Sequence, residues 1–281
     1  GLQRALGCWG WEESLVPDEF VEAMNRHLDF VTVLSPFVQK ALIDSGIRVP
    51  VFVSGAGADH ILHLQERPVK ISSKKAFRFV HISSAFPRKG VDVLLRSYSK
   101  AFSDADDVVL ILKVFPNPHN AVREQLEELR RTTPHCAEIE MIETDLAAEQ
   151  IKSLLVNSHC LVMPSRGEGF GLPAAEAMLL GIPVIATPIG GLASFCTEAT
   201  SWPVAYTYSR AKSHFDLPDS LWVEPDEESL ATQLRCVWLA STEEQKKKTQ
   251  FAREKVESLW TWDHVARRVI EASHRVEELP V

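Results

Sequence analysis

The sequence lacks the features that mark several common classes of protein. Its five cysteines are scattered and include no Cys-x-x-Cys pair, which disfavours a disulfide framework or zinc site and is typical of reduced cytosolic thiols. Basic residues are outnumbered, with 30 Lys and Arg against 38 Asp and Glu, so a nucleic-acid partner is disfavoured. No Gly-x-Gly-x-x-Gly follows an early strand, which argues against a dinucleotide-dependent oxidoreductase.

Long uninterrupted apolar segments are also lacking. The most apolar stretch, residues 172–195, contains Glu176, three prolines and internal glycines, so it does not fit a membrane-spanning helix. The N-terminal residues show no signal-peptide pattern. These observations predict a cytoplasmic protein, and contact with the inner face of a membrane stays open.

Apolar, β-rich runs alternate with amphipathic runs through the middle of the chain. This alternation predicts right-handed βαβ units and a parallel sheet covered by helices on both faces. The predicted strands are Phe77–Ile82, Val108–Val114, Glu138–Ile142, Cys160–Met163 and Pro183–Thr187, and the predicted helices lie at about 89–102, 119–132, 147–157 and 173–181. Ligands of such sheets bind beyond the carboxyl ends of the strands, where residues 164–171 lie.

The segments on either side of this block have simpler patterns. Residues 1–56 predict a helix, a strand, a helix and a strand, at 18–26, 29–34, 37–45 and 49–53. Residues 199–224 predict an irregular excursion with a short strand at its end, and helical patterns at 227–240, 243–258 and 261–277 follow.

Two glutamates, Glu168 and Glu176, lie eight positions apart around a Gly-Phe-Gly turn that opens a helix. The glycines allow close approach of a ligand, Pro173 suits a first helical position, and the free N–H groups of a helix start face an anion. The spacing resembles the Glu-x7-Glu signature of retaining glycosyltransferases of family 4. Those enzymes have the GT-B fold, with two Rossmann-like domains.

The resemblance implies roles for the residues of this segment. Glu168 would contact the donor sugar as a catalytic residue, and the alternative is a carboxylate that only caps the turn. The backbone of Gly169, Phe170, Gly171 and Leu172 would bind the donor's diphosphate. Glu176 would accept hydrogen bonds from the ribose, although a first-turn carboxylate also gains roughly 0.3–1 kcal/mol from the helix dipole without any ligand.

The loop after the first central strand, Ser83–Gly90, carries adjacent cations. It resembles the family loop that grips the donor's phosphates, with Lys89 at the position of the family's lysine and a second catalytic candidate. The family usually has Gly-Arg just after the strand, where this chain has Ser83 and Ser84. Arg88 would take the place of the missing arginine, and the alternative is a loop whose cations only face solvent.

Four further regions are candidates for a function. Residues 190 and 191, a glycine pair, would approach the sugar or form a tight turn. The resemblance places the nucleobase near Met141, Ile142 and Thr144. Asp104 and Asp106 precede a strand, and His60 and His63 have no third ligand nearby, so no metal site is predicted.

The resemblance also implies an organisation of the chain. The fold is expected to be α/β and of GT-B type, with a doubly wound parallel Rossmann-like donor domain and a truncated piece of the N-terminal Rossmann-like domain. Residues 1–58 would be the remnant of the acceptor domain and the hinge, 59–258 the donor-binding domain, and 259–281 a helix that crosses back. The chain would then be the C-terminal portion of a larger enzyme.

The activity that the resemblance implies is transfer of a sugar from a nucleotide-diphosphate donor to an acceptor hydroxyl, with retention and without a metal. A hexosyltransferase of polysaccharide or glycoconjugate synthesis is expected, with a UDP- or GDP-linked sugar as donor and no other cofactor. The acceptor would be a glycan or lipid-linked glycan, and membrane contact would go through the missing N-terminal part. The alternative is a non-catalytic module that binds nucleotide sugar or a partner chain.

Overall fold

A computed structural model of the chain describes residues 4–278. The first unit comprises β1 (Leu6–Trp9), α1 (Asp18–His27), β2 (Phe30–Val33), α2 (Pro36–Asp44) and β3 (Val51–Val53). The second unit begins with α3 (His60–His63), β4 (Phe77–Ile82), α4 (Val91–Ala101), β5 (Val108–Lys113), α5 (Val122–Thr132), β6 (Glu138–Ile142), α6 (Ala148–Val156) and β7 (Cys160–Met163). It continues with α7 (Leu172–Leu179), β8 (Val184–Ala186), β9 (Trp202–Pro203), β10 (Tyr206–Arg210), β11 (Leu221–Pro225), α8 (Glu227–Leu239) and α9 (Thr242–Leu259), and α10 (Trp262–Glu277) follows.

The first unit is a small parallel sheet in the order β1-β2-β3. Strand β2 is wholly buried, because Val31 and Val33 pack against Val38 and Leu42 of α2. Ser35 begins α2 by accepting a hydrogen bond from the Val38 N–H. Strand β1 was not predicted, because its four residues alternate between exposed and half-buried and therefore form no apolar run.

The second unit is a six-stranded sheet in the order β6-β5-β4-β7-β8-β9, and all its strand pairs are parallel. Side chains of β5 alternate between two cores. Val109 and Ile111 belong to the core that includes residues of α6, α7 and α9, and Leu110 and Leu112 to the core that includes residues of α4, α5 and α8. Each face of the sheet is therefore covered by helices. This confirms the predicted doubly wound α/β architecture.

The segment predicted as irregular is more ordered than expected. Residues 202–203 form β9 at the edge of the sheet, and β10 pairs with β11 as an antiparallel hairpin. The prediction was wrong for β10 because none of its five residues is buried, so the strand carries no apolar run. The predicted strand at the end of the excursion is β11.

The tip of this hairpin contacts the first unit. The ring of Phe215 lies 4.8 Å from that of Trp11, between centroids. Ser14 and Leu221 exchange two hydrogen bonds, and Ser220 Oγ donates to Glu13 Oε2 at 2.9 Å. The hairpin thus joins the second unit to the loop that follows β1.

The last helix, α10, also packs on the first unit. Ala272 and Val276 are buried against Phe30 of β2, and Arg268 Nη1 donates to the carbonyl oxygen of Ser54 at 3.1 Å. Residues 1–3 and 279–281, the outer ends of the predicted first and third parts, lie outside the described residues. Across residues 4–278, no helix combines the length and apolar character that crossing a bilayer requires.

Candidate functional site

The loops after β4 and β7 lie side by side at the carboxyl edge of the large sheet. The Arg166 N–H donates to the carbonyl oxygen of Arg88 at 2.7 Å. Gly90 ends the first loop with a φ of 67°, and a Cβ there would lie 2.0 Å from the carbonyl oxygen of Pro164. Only glycine therefore allows the two loops to approach this closely.

These loops bring three charged residues of the predicted site together. Lys89 Nζ lies 2.6 Å from Glu168 Oε1, and Arg88 Nη1 lies 3.6 Å from Glu168 Oε2. Ser165 Oγ donates to Glu168 Oε1 at 2.8 Å. Glu168 is buried, with 5% of its surface exposed, so its carboxylate depends on these partners.

The charge state of Glu168 follows from this environment. Burial favours the neutral acid, but the Lys89 and Arg88 cations and the hydrogen bonds from Lys89 and Ser165 outweigh it and hold the pKa of Glu168 below its usual range. A carboxylate that stays ionised next to two cations can accept hydrogen bonds from sugar hydroxyls. The cations can in turn neutralise phosphate groups.

A buried arginine supports the same loops, and the sequence analysis did not single it out. Arg166 donates to both carboxylate oxygens of Asp92 at 2.8 Å, to Glu224 at 2.8 and 2.6 Å, and to the Pro87 carbonyl at 2.6 Å. Burial opposes its charge, but these bonds prevail, since the pKa of Arg166 is raised and that of Asp92 is lowered. Arg166 thus joins α4, β11 and the two site loops.

Helix α7 begins directly after the glycine-rich turn. Gly171 precedes it with a φ of 94°, and a Cβ there would lie 2.3 Å from a methyl group of Leu192. The Phe170 ring is buried between Phe195 and Trp260, at 5.4 and 5.5 Å between centroids. The turn is therefore held rigidly. Pro173 has no N–H and the Ala174 and Ala175 N–H groups donate to the Gly171 carbonyl, so Leu172 carries the N–H of the helix start that has no partner within the helix.

The glycine pair after β8, Gly190 and Gly191, packs against the backbone of this turn. The Gly191 N–H donates to the Glu168 carbonyl at 2.8 Å. A Cβ on Gly190 would lie 2.1 Å from the same oxygen, and one on Gly191 would lie 2.3 Å from Cα of Phe170. The pair thus supports the loop that carries Glu168, in agreement with the tight-turn alternative.

Glu176 is buried in α7, with 8% of its surface exposed, and faces α3. Its Oε1 atom lies 3.0 Å from Nε2 of His60, and Trp262 Nε1 lies 3.4 Å from the other nitrogen of the same ring. Burial raises the pKa of Glu176 to about 7. The histidine thus contacts the predicted ribose-binding carboxylate, a contact that no signal in the sequence around His60 predicts.

The remaining predicted residues also lie at the carboxyl edge. The Ser84 carbonyl accepts a hydrogen bond from Asn117 Nδ2 at 2.6 Å. Met141 and Ile142 end β6, where the Ile142 carbonyl accepts from the Val114 N–H at 3.0 Å, and Thr144 is exposed just beyond. Ser84 follows β4, the strand next to β7, whereas Met141 and Ile142 lie on β6, three strands from the strand that precedes Glu168.

The pairs considered for a metal have other contacts. Asp104 contacts His135, and Asp106 accepts hydrogen bonds from the backbone and side chain of Ser103. Within residues 4–278, no three His, Cys, Asp or Glu side chains are grouped so that they could hold a metal ion.

Comparison with known families identifies the chain. The model of "Family 4 Glycosyltransferase in conflict systems" matches residues 43–269, which is most of its length. The chain belongs to this glycosyltransferase family. The match includes both site loops, α7 and the whole six-stranded sheet.

Individual relatives of the family agree with this assignment. A Mycolicibacterium hassiacum protein named MMP alpha-(1->4)-mannosyltransferase is 32% identical over 200 residues, which are 68% of this chain and 46% of that relative. The chain thus spans less than half the length of the curated relatives that it matches.

Solved structures share the fold. A glycosyltransferase from Rickettsia africae superposes with a TM-score of 0.73 at 18% identity, covering 98% of this chain and 71% of that one. Anabaena HepE, solved in complex with UDP and glucose, gives a TM-score of 0.68 at 19% identity, covering 93% and 66%. These likenesses confirm the predicted GT-B type α/β fold.

Proposed function

We propose that this chain binds a nucleotide-diphosphate sugar and serves a metal-independent hexosyl transfer to an acceptor hydroxyl, with retention at the anomeric carbon. The observation that carries this proposal is the contact between Lys89 and Glu168 beside the start of α7. Transfer requires the leaving diphosphate to be neutralised and the positively charged sugar to be stabilised. Lys89, Arg88 and the amides of residues 170–172 suit the first task, and Glu168 suits the second.

The donor would lie along the carboxyl edge of the large sheet. Its sugar would contact Glu168, its diphosphate Lys89 and residues 169–172, and its ribose Glu176. The base would lie near Met141, Ile142 and Thr144. A UDP- or GDP-linked sugar is the proposed donor, and the UDP bound in the HepE structure supports the first of these.

One relative supports the proposed acceptor and pathway. A glycan or lipid-linked glycan is the proposed acceptor, in polysaccharide or glycoconjugate synthesis, as the mannosyltransferase relative suggests. The proposed location of the protein is the cytoplasm, including the inner face of a membrane. All five cysteines would stay reduced there, which agrees with their being free.

One contact favours the second candidate, a module that binds donor or partner without turnover. A Cβ on Gly167 would lie 2.1 Å from the Glu12 carbonyl, and Glu12 Oε1 lies 3.1 Å from Arg88 Nη2. The loop after β1 therefore packs directly on the loop that carries Glu168. An acceptor can reach the sugar only from another side, or after this loop moves.

Calorimetry with UDP and GDP, followed by transfer of a radiolabelled sugar, separates these functions. If the chain is an enzyme, we expect nucleotide binding and sugar transfer. E168Q should then abolish transfer, and K247M, on an exposed face, should leave it unchanged. The binding module predicts nucleotide binding without transfer. Absence of nucleotide binding at millimolar concentration would contradict both.

A further inference from the structure

A lysine at the carboxyl end of β5 has no role in the site as described above. Lys113 is buried, with 5% of its surface exposed. Its Nζ atom donates to the Val114 carbonyl at 2.9 Å, and none of the ion pairs among residues 4–278 includes it. Buried lysines normally have a carboxylate partner, whereas the neighbours of Nζ here are the Phe115 ring, with its centroid at 5.8 Å, and the charge of Asp145 beyond ion-pair distance, so this side chain requires another explanation.

The position of Lys113 relates it to the donor site. It is the last residue of β5, and it pairs with Ile82 of β4 on one side and Ile142 of β6 on the other. The backbone carbonyl oxygen of Lys113 also accepts a hydrogen bond from the Ser83 N–H, at the start of the proposed phosphate-binding loop. Lys113 therefore lies between the proposed phosphate loop and the proposed nucleobase region.

The direction of the side chain follows from the strand. Residues two apart on a strand share a face, so Lys113 lies on the face of Ile111, which belongs to the same core as Ala174 and Met178 of α7. This is the face on which Glu176 lies. Because Nζ bonds the carbonyl of the following residue, the ammonium points along the strand toward the carboxyl edge.

The moiety that Lys113 would meet follows from the order of the strands. Neighbouring strands lie about 4.8 Å apart, so β5 is one strand spacing from the loop with Lys89 and two from the loop with Glu168. A nucleotide with its sugar at Glu168 and its diphosphate at Lys89 extends toward β5 and β6. The part that reaches Lys113 is then the base.

We propose that Lys113 determines base specificity, because its ammonium donates a hydrogen bond to the exocyclic oxygen at C4 of uracil or C6 of guanine. This inference rests on the proposed donor site. An ammonium has three N–H donors and no acceptor, and the Val114 carbonyl uses one of them. Cytosine and adenine have an amino group at the same ring positions. Because the amino group and the ammonium are both donors, no hydrogen bond would form between them.

Paired nucleotides that differ at this ring position and at the ring nitrogen beside it test the proposal, and the Lys113 variants separate the two differences. UDP and CDP share the ribose and diphosphate, so their affinities, measured by calorimetry, isolate the base edge. Leaving a buried donor without its acceptor costs about 1–3 kcal/mol, which corresponds to a preference for UDP over CDP of about 5-fold to 150-fold. GDP and ADP repeat the comparison on the purine ring.

Two variants separate this role from simple packing. Lys113→Met removes every donor, so UDP should weaken to the affinity of CDP. Lys113→Gln keeps a donor and adds an acceptor, because an amide has both, so UDP should bind as in the wild type and CDP should improve. Lys247→Met, on the exposed surface of α9, is the control and should keep the wild-type ratio.

The outcomes distinguish this inference from the proposed function. Failure of the wild type to bind any of the four nucleotides overturns both. Equal affinity for UDP and CDP in the wild type, or an unchanged ratio in K113M, overturns only the role of Lys113. An equal loss for both nucleotides in K113M would assign Lys113 to the diphosphate. If K113M does not fold, as judged by thermal unfolding, the K113Q ratio decides.

Discussion

Lys89 Nζ lies 2.6 Å from Glu168 Oε1, in a pair whose side chains are only 13% and 6% exposed. Such a pair differs from a surface ion pair because each charge has lost most of its water and depends on the other. The two residues are 79 positions apart and belong to different loops. Their contact therefore fixes the geometry of both loops as well as the charge of the site.

Replacing Lys89 by Met should destabilise the protein and abolish nucleotide binding. Removing one partner of a buried pair costs about 3 kcal/mol, and Arg88, at 3.6 Å, compensates only in part. The pKa of Glu168 should rise because its nearest cation is gone. Urea unfolding, UDP calorimetry and the carboxyl resonance of Glu168 in NMR measure the three effects.

Lys40→Met is the matched control for this variant. Lys40 and Asp44 also lie 2.7 Å apart, but their side chains are 76% and 48% exposed. Losing this pair should cost less than about 1 kcal/mol and leave nucleotide binding intact. Equal stability losses in the two variants would contradict the buried character of the Lys89 pair.

Glu176 should make the stability of the free protein depend on pH. Burial raises its pKa to about 7 from a usual value of 4.5, so the folded chain holds an extra proton between these pH values. The resulting stabilisation is fully present below pH 4.5 and is lost as the pH rises through 7. Its upper bound is about 3 kcal/mol, from the difference between the two pKa values.

Urea unfolding between pH 5 and pH 8 measures this effect against Glu176→Gln, which keeps the shape and cannot ionise. The wild type should lose stability with rising pH more steeply than E176Q. Parallel curves for the two proteins would show that Glu176 does not titrate in this range.

The sequence was informative where burial leaves a simple pattern. Strand β5 is buried at all six positions and β7 at all four, so both appeared as apolar runs. Strand β10 has no buried residue, and β1 is half exposed, so neither produced such a run. These two strands are stabilised by backbone pairing with β2 and β11, which an apolar pattern in their own residues does not record.

The residues of the candidate site were likewise predictable only where a local pattern exists. The Glu-x7-Glu spacing and the cationic loop directed attention to Lys89 and Glu168, although their roles stay predictions. The partners of Arg166 could not be predicted, because Asp92 and Glu224 lie 74 and 58 positions away. His60 was considered for a metal, and its contact with Glu176 depends on how α3 packs against α7.

Gly190 should be required for the shape of the site, and Gly181 offers a matched comparison. Both have left-handed φ values, 60° and 74°, so Ala at either position costs about 1 kcal/mol in backbone strain. A Cβ at Gly181 would meet nothing within 4 Å, whereas one at Gly190 would lie 2.1 Å from the Glu168 carbonyl. We therefore expect G190A to cost about 3 kcal/mol or more, because the backbone must also move.

Thermal unfolding and UDP calorimetry on the two alanine variants check this expectation. G181A should bind UDP like the wild type. G190A should bind it weakly, since the displaced carbonyl belongs to Glu168 itself. Equal behaviour of the two variants would mean that the loop after β8 moves aside without affecting the site.

Val276 should hold the last helix on the first unit. Its side chain is 2% exposed and packs with Ala272 against Phe30 of β2. Val276→Asp places a carboxylate in this apolar contact, which should cost about 3 kcal/mol and release α10 from β2. Ile270→Asp on the same helix, at a position that is 56% exposed, should change stability by less than about 0.5 kcal/mol. Amide hydrogen exchange should then become faster in β2 of V276D but not of I270D, and protection of β2 in both variants would show that the first unit is stable without α10.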